Sequence, residues 1–458
     1  MSIQTPPETD LAISEAPLAP VLEKILARAK HYGAETADAI ATHGRSLSVT
    51  VRDHALEDVD NSEGKDVGLR VMVGKRQASV SSSDLSDLSL DKLAERAVAM
   101  ARLAPEDPYC GLAPTALLQT NPPELELFDP VLTTPAKLKA RALDVEAATE
   151  SVKGVTQAEG SSASWSTSAI YFKTSHGFSS GWRSSRHGLS AVAIAEKDGA
   201  MERDFAYQGA RWLDDLPAIR DIGTEAGTRA VARLGSVQLG SGAMAVIFER
   251  RVANSLISAL FGAISGTSIA RGVSFLKDSL GKPLFTPGIT IIDDPLMRRG
   301  HGSRPWDGEG VATQKHTIIK DGALTSWLLN CSTAKQLGLE TTGHAMRGIG
   351  GGPGISSTNS YLCAGEKTPE QLMAEMGSGL WISEMFGPSL NNNTGDYSVG
   401  VAGYEIKNGQ RGQPVSEITI AGNLLEMYKT LVPANDLIFD SSKCSPAVRV
   451  EGMMIAGE

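Results

Sequence analysis

The residues able to hold a metal are few in this chain and set too far apart to share one helix face. Its eight histidines, His31, His43, His54, His176, His187, His301, His316 and His344, never stand three, four or five apart. HExxH and HExxxH, which bring two imidazoles to one ion with a glutamate beside them to activate water, are therefore absent. A metal site would have to be assembled from distant residues, His344 with Cys444 for example. "GFSSG" at 177–181 matches the GxSxG of a serine hydrolase, with Ser179 as the nucleophile. That elbow needs a strand before it and a helix after it. The "GWRSSRHGLSAVAIAE" that follows has turn and strand character, so a hairpin tip is expected instead. "RGIGGGPGISSTNSYL" is dense in glycine but lacks the strand–loop–helix order of a phosphate cradle, and no Lys-Ser/Thr follows. Close backbone approach or a mobile loop is the expectation there.

"DDPLMRRGHGSRPWDGEG" gathers Asp293, Asp294, Asp307 and Glu309 with Arg298, Arg299 and Arg304. Read structurally, it is a solvated loop held by Arg–carboxylate pairs. Read functionally, it is the charged wall of a cleft. Paired carboxylates could also serve a glycosidase, but aromatic residues make up only 5% of the chain and nothing nearby suggests sugar binding.

Local periodicity sketches the elements that would position these groups. Residues 1–17 are polar and proline-bearing, a flexible tail. In "APLAPVLEKILARAKHYGA", Leu22, Ile25, Leu26 and Ala29 share a helix face and Gly33 ends it. Leu47, Val49, Val51 and then Val67, Leu69, Val71, Val73 alternate as antiparallel strands with one buried face. A helix ending near Pro105 completes an N-terminal α+β domain over 18–105. The proline-rich stretch 106–133 reads as a surface linker. A middle α+β domain over 134–234 begins with Thr134 and Pro135 placed to cap a helix, continues through short strands and closes with a helix over about 215–233. The third unit, 235–458, is β-rich. It opens with "VIFERRVANSLISALFGAISG", a buried strand over 243–248 running into a helix with Val252, Leu256, Leu260 and Ile264 in one stripe, widened by Ile257 and Phe261.

Composition narrows the class. At 458 residues the chain is long enough for two or three cores. A net charge of -10 argues against nucleic acid or an anionic membrane as principal partner. No apolar run nears the ~20 residues that span a bilayer, and the start lacks a secretory pattern. Four cysteines, Cys110, Cys331, Cys363 and Cys444, show no CxxC spacing. A cytoplasmic protein with reduced thiols is expected.

Long segments in fixed order then converge on one likeness. "GLRVMVGKRQASVSSSDLS", "ARLAPEDPYCGLA", "SHGFSSGWRSSRHGLSAVAIAE", "DDPLMRRGHGSRPWDGEGVAT", "TTGHAMR" and "GDYSVGVAGYEIKNGQ" resemble the TldD/PmbA family of peptidases, from about residue 20 to the C-terminus. The likeness is strongest to its PmbA branch, also called TldE. The resemblance implies a TldD/PmbA-like α+β fold, with N-terminal units built on antiparallel sheets and a β-rich C-terminal domain. It also implies two kinds of chain. The TldD type carries HExxxH on the helix after the first C-terminal strand, and its two histidines and a later cysteine hold zinc. The PmbA type lacks the motif. Laid over this sequence, the motif's histidines fall at Ile257 and Gly262 and its glutamate at Ser258, none of them able to play the part. Cys444 alone stands near the place of the cysteine ligand.

The resemblance therefore implies a non-catalytic subunit, without a cofactor of its own, of a cytoplasmic zinc peptidase. Its partner would be a zinc-bearing TldD-type chain, in a heterodimer or larger assembly, with a homodimer open when it is alone. Unstructured peptides, such as peptide precursors and labile antitoxins, would be the substrates. Asp293, Asp294, Arg304, Asp307, Glu309, His344 and Arg347, with the glycine run 348–354 and the loop 298–310, are the candidate cleft or structural residues. Two other readings remain: an autonomous hydrolase using Cys444, His344 or the Asp293/Asp294 pair, and a homodimeric peptide-binding scaffold.

Overall fold

The computed structural model describes residues 13–457. α1 (Leu18–Tyr32) turns Leu22, Ile25, Leu26 and Ala29 inward and ends at Gly33, whose φ of 100° forms the left-handed cap. Ile13, inside the expected tail, is 3% exposed and belongs to the same core; residues 1–12 of that tail lie outside the described residues. β1 (Thr36–Arg52), β2 (Ala55–Val73) and β3 (Arg76–Ser82) follow as an antiparallel meander. α2 (Asp87–Leu103) packs beneath them, its N-terminus held by the Ser86 hydroxyl accepting the Ser89 N–H.

The middle segment repeats this plan with its helices at either end. α3 (Pro135–Glu150) starts from Thr134 with proline in its first turn, as its sequence predicts. β4 (Val155–Thr174), β5 (Ser179–Lys197) and β6 (Ala200–Ala210) form the second meander, and α4 (Ile219–Ala232) closes it. The two meanders are parts of one sheet, ordered β3-β2-β1-β4-β5-β6, because β1 and β4 pair antiparallel from Asp38↔Thr174 to Val51↔Ser161. Period-2 alternation gives that sheet two unlike faces. One carries Leu47, Val49, Val51, Trp165, Leu189 and Ala191 against α3 and α4. The other presents Ser46, Ser48, Ser162, Ser164, Ser166 and Ser168, all half-buried.

Residues 106–133 are more tightly tied than a surface linker. Leu125, Leu127 and Asp129 are buried, and the Asp129 carboxylate accepts the Leu213 N–H at 2.8 Å.

In the C-terminal half, β7 (Gly242–Phe248) runs directly into α5 (Arg250–Ala263). β7 lies inside a second six-stranded sheet, parallel to Gly379–Leu390 and antiparallel to Val448–Ala456. A third sheet of five short strands includes Ile291–Asp293, His316–Lys320 and Ser360–Leu362. One core joins α5 to residues of both, Ile382 and Val401 from the first and Ile291, Ile319 and Leu362 from the other. The halves meet where Phe178, on the β4–β5 turn, packs with Phe172 and Trp306 at centroid distances of 5.8 and 5.3 Å. They meet again where Gly68 lies under the Ile349 carbonyl with no room for a Cβ. Among the described residues, no helix is long and apolar enough to cross a membrane.

Candidate functional site

α5 is amphipathic, burying Ala253, Leu256, Ile257, Leu260, Phe261 and Ala263, while Val252 of the expected stripe is half-buried. Ile257 is 1% exposed in the core, whereas Gly262 is exposed with open space where a Cβ would stand. The Ser258 hydroxyl turns back to the Asn254 carbonyl at 3.0 Å. Cys444, on the two-residue strand Lys443–Cys444, packs beside this helix, buried, its thiol donating to the Ser441 carbonyl at 3.2 Å. The slot marked by the resemblance thus offers one sulfur where zinc takes three or four protein ligands. Its residues do not fit a metal. Nor does His344 join Cys444: its Nε2 lies 3.1 Å from Asp293 and its Nδ1 2.8 Å from the Thr342 hydroxyl. Among the described residues, no group of three or more His, Cys, Asp or Glu is placed to hold a metal ion.

The segment 293–310 is not the solvated, internally ion-paired loop expected of it. Asp293 is fully buried and accepts the Thr358 N–H at 2.8 Å, the Thr358 hydroxyl at 2.6 Å and the Ser360 hydroxyl at 2.8 Å. Against the upward pull of burial, His344 and Thr358 hold its carboxyl below the ordinary value. Asp294 accepts the Leu296 N–H at 3.0 Å and faces Lys315 at 3.7 Å. Asp307 takes the N–H groups of Glu309 and Val311, both at 2.9 Å, and of Ala345 at 3.1 Å. Glu309 accepts the Cys331 N–H at 2.8 Å. Arg304 donates to the carbonyls of Ala345 and Ser356, while Arg298 and Arg299 pair outside the segment, with Glu126 and with Glu126 and Asp215. The physical reason is that a buried loop must satisfy its own N–H groups, and the nearest acceptors are these carboxylates.

Burial, and then Glu309, push the Asp307 carboxyl up to about 7, and burial raises Glu309 too. With backbone donors on both of its oxygens, Asp307 is structural. Glu309 reaches a cavity of about 240 Å³ that Arg70, Cys110, Asn330 and Gly352 also line.

Arg347, another expected cleft residue, is locked inside. Its Nε donates to Asp38 at 3.1 Å, and the other Asp38 oxygen takes the Arg70 Nε at 2.6 Å. The Arg347 Nη1 binds the carbonyls of Gly348 and Gly351, so the glycine run is pinned against the first sheet and permits close approach. Ser179 is an exposed hairpin-tip residue at the start of β5, 3.1 Å from the Tyr171 hydroxyl.

Two neighbouring cavities form the candidate cleft. The first, about 550 Å³, lies where the end of β6 meets 297–301 and 438–441, and Arg211, Arg250, Arg299, His301, Phe439 and Asp440 line it. Of the expected cleft loop 298–310, therefore, only its beginning faces the cleft. The second, also about 550 Å³, lies on the serine face, lined by Ser46, Ser166, Ser168, Arg45 and Arg186, and it shares Arg211 with the first. Burial, then Arg186 and Arg211, push the His301 imidazole down to about 4, so it is neutral near pH 7. This arrangement can bind an extended polar chain through hydroxyls and guanidinium groups. Sequence reading missed Arg186, Arg211 and His301, and also Asp38 and Arg70. The available signal was the serine alternation at 162, 164, 166 and 168, which marks a polar face with no helix to cover it.

Comparisons with known proteins agree with one another. Family models for PmbA/TldA metallopeptidase domain 1, central domain and C-terminal domain match residues 37–101, 129–234 and 241–457. The chain is 38% identical to the metalloprotease PmbA of Escherichia coli O157:H7, covering 100% of this chain and 99% of that one. It is 32% identical to the PmbA homolog of Haemophilus influenzae, covering 92% of each. Its fold matches crystal structures of TldE from Thermococcus kodakarensis (TM-score 0.84, 21% identity, 95% of this chain and 100% of that) and of a candidate modulator of DNA gyrase from Bacteroides thetaiotaomicron (TM-score 0.88, 24% identity, 98% and 100%).

Proposed function

The chain belongs to the TldD/PmbA metallopeptidase family, and on that premise we propose that it is the non-catalytic, PmbA/TldE-type subunit of a two-chain zinc peptidase. A TldD-type partner supplies the zinc and the glutamate that activates water. This chain closes the chamber and holds unstructured peptides, such as peptide precursors or labile antitoxins, in reach of that partner's site. The cytoplasm is the compartment that four free cysteines fit.

The observation that carries the reading is the filling of the zinc slot: Ile257 sealed in the core, Ser258 bonded to its own helix, Gly262 without a donor and Cys444 alone. An ion-binding helix has here become a packing helix. The cleft of hydroxyls and arginines supports the peptide-holding role.

The test is zinc content and peptide cleavage, measured for the chain alone and together with a TldD-type chain. Background zinc and no cleavage are expected alone, both appearing with the partner and both indifferent to Cys444→Ala in this chain. Stoichiometric zinc in the isolated chain, or cleavage by it that Cys444→Ala abolishes, would establish an autonomous hydrolase instead. Tight peptide binding without cleavage even beside the partner would establish a scaffold.

A further inference from the structure

We propose that Arg186 and Arg211 form a subsite for a carboxylate of the bound peptide, at the point where the serine face opens into the cavity beside 297–301. This rests on the reading above that peptides are the chain's ligands. The β5–β6 register ends at His187↔Ala210, and Arg186 and Arg211, the residues just beyond it on either side, line one cavity. Like charges brought this close repel. Such a pair persists most readily where an anion completes it.

Neither guanidinium has a carboxylate in ion-pair range among the described residues, whereas Arg250, Arg298 and Arg299 around the same cavity pair with Asp440, Glu126 and Asp215. Arg211 spends three N–H groups on the carbonyls of Gly300, Ser185 and His301, at 3.4, 3.3 and 2.6 Å. Arg186 spends one on the Tyr207 hydroxyl at 2.8 Å. The rest are free to donate. Two uncompensated cations side by side stand out in a chain whose acids outnumber its bases, 53 to 43.

Two glycines make room on the strands for the Arg186 and Tyr207 side chains, which lie over them. Gly188 and Gly209 are cross-strand partners, and the Arg186 guanidinium lies over Gly209, where a Cβ would come within 3.1 Å of it. Ser166, Ser168 and Ser184 add hydroxyl donors along the same cavity. A carboxylate presents two coplanar oxygens, which suit the guanidinium fork. A peptide can bring that group at its C-terminus or on an acidic side chain.

The test uses the full chain and fluorescence anisotropy with three labelled peptides: tetra-alanine as the free acid, its C-terminal amide, and an amide with one internal glutamate. The free acid should bind roughly tenfold or more tightly than the plain amide. Arg186→Ala, at an exposed position, should remove that advantage by weakening the acid far more than the plain amide; Arg211→Lys, which keeps the charge and loses the fork, should weaken the acid in the same direction. Recovery of affinity by the glutamate amide assigns the subsite to a side chain, and lack of recovery assigns it to the terminus. Equal binding of acid and amide, or equal weakening of both by Arg186→Ala, overturns the subsite alone. Failure of all three peptides to bind overturns the peptide reading itself, and the subsite with it.

Discussion

Asp38 carries the charge balance of two buried guanidinium groups, so its replacement should be the most costly change at the junction of the two halves. In Asp38→Asn the carboxylate between Arg70 and Arg347 becomes an amide that turns an NH₂ donor toward one of them. Both arginines stay buried, with side chains 5% and 1% exposed, and one Arg347 nitrogen already lacks a partner. Breaking a buried pair from one side costs about 3–5 kcal/mol. Glu309, which acts electrostatically on Arg70, remains and sets the expectation near the lower end, about 3 kcal/mol. Arg347→Met instead leaves the Asp38–Arg70 pair matched and removes charge-assisted hydrogen bonds worth about 1.5–3 kcal/mol. The double variant should then cost less than the sum of the singles by at least about 1 kcal/mol, because the second change removes one of the cations stranded by the first. Urea unfolding at neutral pH, followed by tryptophan fluorescence on all four proteins, measures the cycle. If Asp38→Asn costs no more than Arg347→Met, or the two effects simply add, the charge-balance argument fails.

Ile257→Ala should cost about 2–5 kcal/mol in thermal unfolding, as for a buried core residue, and leave zinc content untouched; a cost near zero would mean that the slot is not packed as described. Glu309→Gln tests the buried acids. The folded chain keeps Asp307 protonated up to about 7, while the unfolded chain releases that proton near its ordinary value. Stability contributed by this group is therefore present at low pH and falls as pH rises from about 4 to 7. Removing the Glu309 charge lowers the Asp307 value and flattens that decline, which melting curves across this range would show; an unchanged slope would count against the coupling.

The helices and the strand faces were legible because their signals are local. The face of α1, the Thr134 cap and the alternations at 47–51 and 67–73 each lie within one turn or one strand. The joining of β1 to β4 had no local mark: both strands alternate, and any two such strands could pair. The roles of Asp293 and Asp307 were hidden for a related reason. A polar loop reads as solvated unless one knows that Thr358, Ser360 and Ala345 arrive from elsewhere to bury it. Arg186 and Arg211 lie 25 residues apart and become neighbours only through the β5–β6 register.

That same β1–β4 pairing sets the order in which the protein can fold as it is made. When the first meander leaves the ribosome, β1 has β2 on one side and a bare row of N–H and C=O groups on the other, an edge of the kind that recruits foreign strands. The roughly 120 residues between the ends of β1 and β4 take on the order of ten seconds to synthesise. During that interval the N-terminal meander is a half-sheet awaiting its complement. Aggregation during synthesis should therefore be governed by the speed of translation through residues 106–174 more than by the stability of the finished fold.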